Sequence, residues 1–412
     1  MRLLFLSNLY PPYDLGGFEQ WCQEVAVRLR QHGHIVRVLT SRYGLDRDFL
    51  SEADVLRTLH LQADVYHYRP LDFFFKRPGQ EKSNERQLRS AISEMAPDLV
   101  VVWGMWNLSH CLPYWAEQWM PGRVAYYIAS YWPNDLDVHR QYWQLPAGRP
   151  VVGMVKRLAG ALALSQLRRE EYPPTLRFEH TLCCSRYVRD MLVSAGKLPT
   201  SAGVLYGGVD PEPFLCGRSR SDGKQAGALR LLYFGSLLPQ KGVHTAVQAL
   251  GLLKQRGMLE QVELTLVGGG HPDYEARLRE MALQLGVAER VHFAGRVLRD
   301  EIPSRLADFD VFLFTSVWAE PMARTVMEAM AAGLLVIGSE VGGQVEMLTN
   351  GQNALTFQAE DADGLASQIV RVLDEPLLRQ QLARAGQQMA LDKFTLERMV
   401  CDIETWLGSI IV

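Results

Sequence analysis

Two glutamates, Glu320 and Glu328, stand eight residues apart in the run SVWAEPMARTVMEAMAAG, where most neighbours are apolar or small. A carboxylate in a buried run is costly unless something pairs with it. Either a surface or a ligand must therefore cross this stretch. An ionised carboxylate only accepts hydrogen bonds, and it can take two from adjacent hydroxyls. A sugar or a ribose presents such vicinal pairs. Plainer readings exist for each glutamate alone. Glu320 could complement a helix dipole, and Glu328 could form an i, i+4 pair with Arg324 on an exposed face. Pro321 suits a first helical turn, so Glu320 is expected in the turn before a helix and Glu328 about two turns further in.

Glycines recur in comparable places. YFGSLLPQKGV sets Gly235, then Lys241 and Gly242, between a strand and a helix start; LVGGGHPDY and GSEVGGQVE repeat the arrangement. Helix N-termini offer unpaired N–H groups and partial positive charge. Glycine lets the backbone approach a ligand closely. Together they make an anion site suited to a diphosphate, and Lys241 adds a full positive charge at its rim.

Alternating elements must position these groups. RLLFLS, HIVRVLT, DLVVVW, RVAYYIA, HTLCCS and GVLY read as strands in the first half, with helical runs such as FEQWCQEVAVRLRQHG between them. Gly33 signals a helix C-terminus there. Near 215–228 the polar, glycine-rich stretch CGRSRSDGKQAGA reads as a linker or an exposed loop. The alternation then restarts with LRLLYFG, VELTLV, RVHFAG, VFLFTS and LLVIGS as strands. This rhythm predicts an α/β protein with two doubly wound parallel-sheet halves and a crevice between them. Ligands in such sheets bind beyond the carboxyl ends of the strands.

With 412 residues, two domains are the natural expectation. A net charge of −3 gives no basic excess to recommend nucleic acid as a partner. No stretch has the length of apolar residues needed to span a bilayer. The opening MRLLFLSNLYPPYD reads as a buried first strand rather than a secretory leader. The six cysteines form no C-x-x-C pair, so a structural zinc site is not expected. Scattered thiols suggest a reducing compartment, with all six buried as small hydrophobes. Three Asp-x-Asp pairs, 46–48, 135–137 and 361–363, read as chance matches, the last as a helix start.

The whole ordered set resembles the retaining family 4 glycosyltransferases of the GT-B fold. EPMARTVMEAMAAGLLVIGSEVGG looks like their E-x7-E signature. LFLSNLYPPYDLGGFEQWCQEVAVRLRQHGHIVRVLTS looks like their opening, and GGVDPEPF, FGSLLPQKGV, ERVHFAG and NGQNALTF match further along. The resemblance implies two Rossmann-like domains facing a central cleft: 1–205 for the acceptor, 206–393 for the nucleotide sugar, and 394–412 as a helix crossing back to the first domain. It implies that Glu320 contacts the donor sugar and that Lys241 neutralises the leaving diphosphate, these two being the catalytic residues. Donor contacts fall to Gly16 and Gly17 in the first domain. In the second they fall to Gly235, Ser236, Arg324 and Thr325, and to the backbone at Met322 and Ala323. Arg296 and Val297 meet the base, and Glu328 grips the ribose.

Two departures from the family stand out, at three positions. Ser236 stands where many relatives have an arginine, and Ala129 and Ser130 replace a His-Asp pair. Ser130, Tyr131 and His139 are then the acceptor-side substitutes to examine. Trp106, in WGMWNLSHCLPYWAEQW, is open to two readings, sugar stacking or core. The basic run VVGMVKRLAGALALSQLRR is likewise open, as a membrane-surface helix or as a buried helix with a solvated basic edge.

The resulting expectation is a metal-independent, retaining transfer of a hexose-type sugar from a UDP- or GDP-sugar. The acceptor is a glycan, glycolipid or small molecule. No cofactor beyond the donor substrate is expected. The resemblance suggests a cytoplasmic polysaccharide-assembly enzyme, peripheral at the inner face of the membrane. The alternatives are a non-catalytic nucleotide-sugar or glycan binder, which Ala129 and Ser236 would favour, and a nucleotide-sugar epimerase.

Overall fold

A computed structural model of the chain describes residues 1–45, 52–146, 150–216 and 227–411. Asp46, Asp48 and most of the polar stretch at 215–228 lie outside the described residues. The chain divides into two compact units. Unit 1 comprises Met1–Cys184, Val188–Leu205 and the residues from Val400 on; unit 2 comprises Ser185–Tyr187 and Tyr206–Met399.

Unit 1 is built on strands β1 (Arg2–Ser7), β2 (Ile35–Ser41), β3 (Val55–Leu59), β4 (Leu99–Gly104), β5 (Val124–Ile128), β6 (His180–Cys183) and β7 (Gly203–Val204). They lie in the order β3-β2-β1-β4-β5-β6-β7, all pairs parallel. The central β1 pairs Leu3 with Val36 on one side and with Leu99 on the other. Every residue of β4 and β5 is buried, as expected for strands covered by helices on both faces. β3 is not among the predicted strands. Its VLRTL pattern is half-buried, and Arg57 interrupts the apolar run. The Arg57 guanidinium is nevertheless buried, donating to the carbonyls of Tyr10 and Pro11.

Unit 2 repeats the scheme with β8 (Leu229–Phe234), β9 (Val262–Val267), β10 (Val291–Gly295), β11 (Val311–Phe314), β12 (Leu335–Ser339) and β13 (Leu355–Phe357). The order is β10-β9-β8-β11-β12-β13, again all parallel. The helices Val243–Gln255, Pro272–Leu285 and Ala362–Asp374 place Val247, Leu250, Leu278, Leu365 and Ile369 in one core with Leu231, Leu264 and Ile337. Truncating such a leucine to alanine costs roughly 2–5 kcal/mol.

The last helix, Leu396–Ile411, begins in unit 2 and continues in unit 1. There His32 and His34 meet Glu404 at 2.7 and 2.8 Å. Their hydrogen bonds, His32 first, hold the Glu404 carboxyl below its usual range. Cys22, Cys183 and Cys184 are buried as expected, but Cys401 is exposed, because it sits on the outer face of this helix.

Candidate functional site

The residues singled out in unit 2 gather at the carboxyl ends of five adjacent strands. Gly235, Ser236 and Lys241 follow β8, Gly268–Gly270 follow β9, and Arg296 and Val297 follow β10. Glu320 follows β11, and Gly342 and Gly343 follow β12. Lys241 Nζ pairs with Glu320 Oε1, and Ser316 Oγ donates to the same oxygen at 3.1 Å. Lys241 remains partly exposed while Glu320 is nearly covered.

The turn at Glu320 differs from the expectation in one respect. The helix begins at Arg324, not at Pro321. Pro321 and Met322 stay in an irregular turn because neighbouring groups hold their backbone. Gly343 N–H donates to the Glu320 carbonyl at 2.8 Å, and Gln344 Oε1 accepts the Ala323 amide at 3.0 Å. The Ala323 amide, expected to face the sugar, is thus taken by Gln344. Met322 is buried beside it, and Thr325 is half-buried in the first helical turn.

Glu328 is 0% exposed. Its Oε1 accepts from Arg324 Nε at 2.9 Å and lies 2.5 Å from Arg299 Nη2. The i, i+4 pair with Arg324 exists, but it is buried rather than on an exposed face. Glu328 Oε2 is buried and has no hydrogen-bond partner among the described residues.

Glycines shape the loops. A Cβ on Gly270 would lie 1.8 Å from the Leu237 carbonyl oxygen, and one on Gly268 1.8 Å from that of Gly235. The Arg296 side chain crosses the same loop, with Nε 2.6 Å from where a Gly269 Cβ would be. Arg296 makes no ion pair among the described residues, unlike Arg324. Ser236 is exposed, and its carbonyl accepts from Tyr233 Oη at 2.8 Å.

In unit 1, Gly16 and Gly17 follow β1, Trp106 follows β4, and Ser130 and Tyr131 follow β5, three adjacent strands. Gly16 caps the helix Gly17–Gln31, and Trp103 Nε1 donates to the Phe18 carbonyl at 3.1 Å, fixing its first turn. Trp106 is 44% exposed, Ser130 half-buried and Tyr131 buried. His139 is corrected by the structure. It is 1% exposed, packed among Tyr68 and Phe73, with Nδ1 2.9 Å from Tyr68 Oη. Burial, with Arg77 nearby, pushes its pKa down to about 3. It is a core histidine, not a surface group open to an acceptor. Asp137 caps the helix Val138–Gln144 and Asp361 caps Ala362–Asp374, which accounts for two of the Asp-x-Asp matches.

Residues 15–213 match the family described as Glycosyltransferase Family 4, and residues 219–389 match Glycosyl transferases group 1. The chain belongs to the family 4 glycosyltransferases. The enzyme is 24% identical to an uncharacterised glycosyltransferase of Methanocaldococcus jannaschii, covering 97% of this chain and 96% of that one. It is 26% identical to the glycogen synthase of Mycobacterium tuberculosis (strain H37Rv), over 96% and 91% of the two chains. Anabaena HepE, solved with UDP-glucose, superposes with a TM-score of 0.69 at 20% identity, over 99% of this chain and 100% of HepE. The fold of this glycosyltransferase is therefore GT-B.

Several groups of the glycosyltransferase's site were not legible beforehand. Arg299 lies in a short 3-10 turn with no motif of its own. Gln344 sits two residues after Gly342, with no motif of its own. Glu19, two residues after Gly17, is 8% exposed; burial pushes its carboxyl up to about 7, with Asp14 adding to the shift and Asn8 opposing it. Its place in the first helical turn was the available signal.

Proposed function

We propose that this glycosyltransferase moves a hexose-type sugar from a UDP- or GDP-sugar to a glycan, glycolipid or small-molecule acceptor, with retention and without a metal. The observation that carries the reading is Glu328 Oε2, a buried carboxylate oxygen with no hydrogen-bond partner among the described residues. A buried acceptor left unpaired costs about 1–3 kcal/mol, which a ribose hydroxyl would offset. Glu320, at the rim with Lys241, is the acceptor for hydroxyls of the sugar.

Departure of a nucleoside diphosphate builds negative charge on phosphate. Lys241 is the fixed cation for it, since charge-stabilising groups already in place act most strongly. Arg296, which crosses the glycine loop next to Ser236, supplies the second cation that Ser236 lacks. Arg324 is committed to Glu328 and does not serve this purpose. No carboxylate is placed as nucleophile in this reading. The leaving phosphate accepts the acceptor's proton on the face it departs from. In the relative HepE the bound donor is UDP-glucose, which favours a UDP-sugar.

The acceptor is lipid-linked in the form of this reading that the surface favours. Helix Pro150–Arg169 exposes Met154, Val155, Leu158 and Leu162, and its cations, Lys156, Arg157, Arg168 and Arg169, are balanced by no acidic residue on the helix. That is the make-up of a helix lying on an anionic bilayer.

A hydrolysis assay over a panel of nucleotide sugars tests the reading. Slow hydrolysis of one donor, unchanged by EDTA, supports it. Tight nucleotide binding without turnover of any donor would instead support a binding protein. An inverted anomer in the product would remove the retaining mechanism.

A further inference from the structure

Beyond the carboxyl ends of β2 and β3, unit 1 opens into a cleft of about 390 Å³. Clefts of roughly 300–1,000 Å³ are the ordinary size for small ligands. One wall is the loop from His60 to Ala63, and two buried asparagines hold it from behind. Asn84 accepts the His60 amide at 2.7 Å and donates to the His60 carbonyl at 3.0 Å. Asn107 accepts the Ala63 amide at 3.0 Å and donates to its carbonyl at 2.8 Å. Asn107 also takes a φ of +57° to do so. Burying two amides and a strained backbone to fix one loop carries a desolvation and conformational cost. The return is a wall of fixed shape, which is what a binding site needs.

The charges of the cleft are unevenly committed. Asp72 pairs with Lys76 at 3.0 Å. Asp64 accepts the amides of Tyr66 and His67 at 3.0 and 3.1 Å, and feels Arg69 only at longer range. Arg42 and Arg69 line the same cleft, and neither makes a side-chain hydrogen bond or ion pair among the described residues. His60 is held below its ordinary pKa by burial and then by Arg42. Two guanidiniums without a side-chain partner among the described residues therefore remain in a cleft where each carboxylate already accepts a hydrogen bond. A guanidinium binds carboxylate and phosphate through paired N–H groups.

We propose that this cleft binds a carboxylate or phosphate carried on a hydroxyl-bearing scaffold, with Arg42 and Arg69 on the anion and Gln80 and the 60–63 loop on the hydroxyls. The site lies wholly in unit 1 and does not depend on the donor reading.

The test uses the full chain, its Arg42→Ala and Arg69→Ala variants and the double variant. Calorimetry measures glucuronate, inorganic phosphate and neutral glucose. Sedimentation measures phosphatidylglycerol vesicles against phosphatidylcholine vesicles. UDP binding is followed in parallel, so that a failed donor site is read separately. Both arginines are exposed, and unchanged melting temperatures check that the variants fold. We expect glucuronate or phosphate to bind and glucose not to. Each single variant should weaken binding roughly tenfold, the worth of about one charge-assisted hydrogen bond, with UDP binding unchanged. Binding of phosphatidylglycerol vesicles alone, lost in the double variant, would assign the anion to a lipid headgroup. No binding of any anionic probe, or binding that the double variant retains, overturns the proposal.

Discussion

Arg299 Nη2 lies 2.5 Å from Glu328 Oε1, the oxygen that also accepts Arg324 Nε at 2.9 Å. Two cations thus converge on one oxygen of a fully buried carboxylate, while the other, also buried, has no hydrogen-bond partner among the described residues. Glu328→Gln should weaken nucleotide binding and destabilise the protein, since breaking a buried ion pair costs about 3–5 kcal/mol. Arg299→Ala should cost far less stability, because Arg299 is partly exposed and Arg324 still pairs with the carboxylate. Melting curves of the two variants, with and without UDP, compare these effects. Equal losses in both variants would contradict the arrangement.

Lys241→Ala should lower turnover by on the order of 100-fold while changing nucleotide affinity less, as expected for a group that acts on charge developing during reaction. Steady-state kinetics on the donor identified by hydrolysis decide this. Turnover at the unaltered level would remove Lys241 from the diphosphate role.

Arg296→Ala carries a related expectation. If its guanidinium substitutes for the cation missing at Ser236, then Arg296→Ala should slow turnover and Ser236→Arg should restore part of it in the Arg296→Ala background. Rescue is the readout that a merely structural arginine would not produce.

Glu19 gives a pH dependence with a definite sign. Its carboxyl titrates near 4.5 when exposed and at about 7 in the fold. The folded protein therefore holds a proton that the unfolded chain releases between these values. Stability from this group is full below about 4.5 and is lost as pH rises through about 7. The span corresponds to about 3 kcal/mol. Glu19→Gln should flatten the fall in melting temperature between pH 5 and 8. A slope unchanged by the substitution would place the titration elsewhere.

Much of the fold was readable because strands buried on both faces leave continuous apolar runs, as in LVVVW of β4 and VFLF of β11. β3 was missed because Arg57 breaks its run, and only the tertiary structure supplies the carbonyls that satisfy that guanidinium. The three-residue β13 is too short to show a period. At the site, Glu320, Glu328 and Lys241 were legible from residue type beside strand ends and glycines. Arg299 and Gln344 were not, because their contacts join segments about 20 to 30 residues apart with no shared motif. His139 was misjudged for a different reason. It lies in the helix Val138–Gln144 rather than in the loop after β5, and sequence does not show that Tyr68 and Phe73 cover it.

Gly342 adopts a φ of +55°, and a Cβ there would lie 2.2 Å from the Glu320 carbonyl oxygen; one on Gly343 would lie 2.0 Å from that of Pro321. In a saturation scan read out by activity, positions 342 and 343 should therefore score as sharply as Glu320 itself. They would register as active-site positions while contributing no side chain, because what they supply to the enzyme is room.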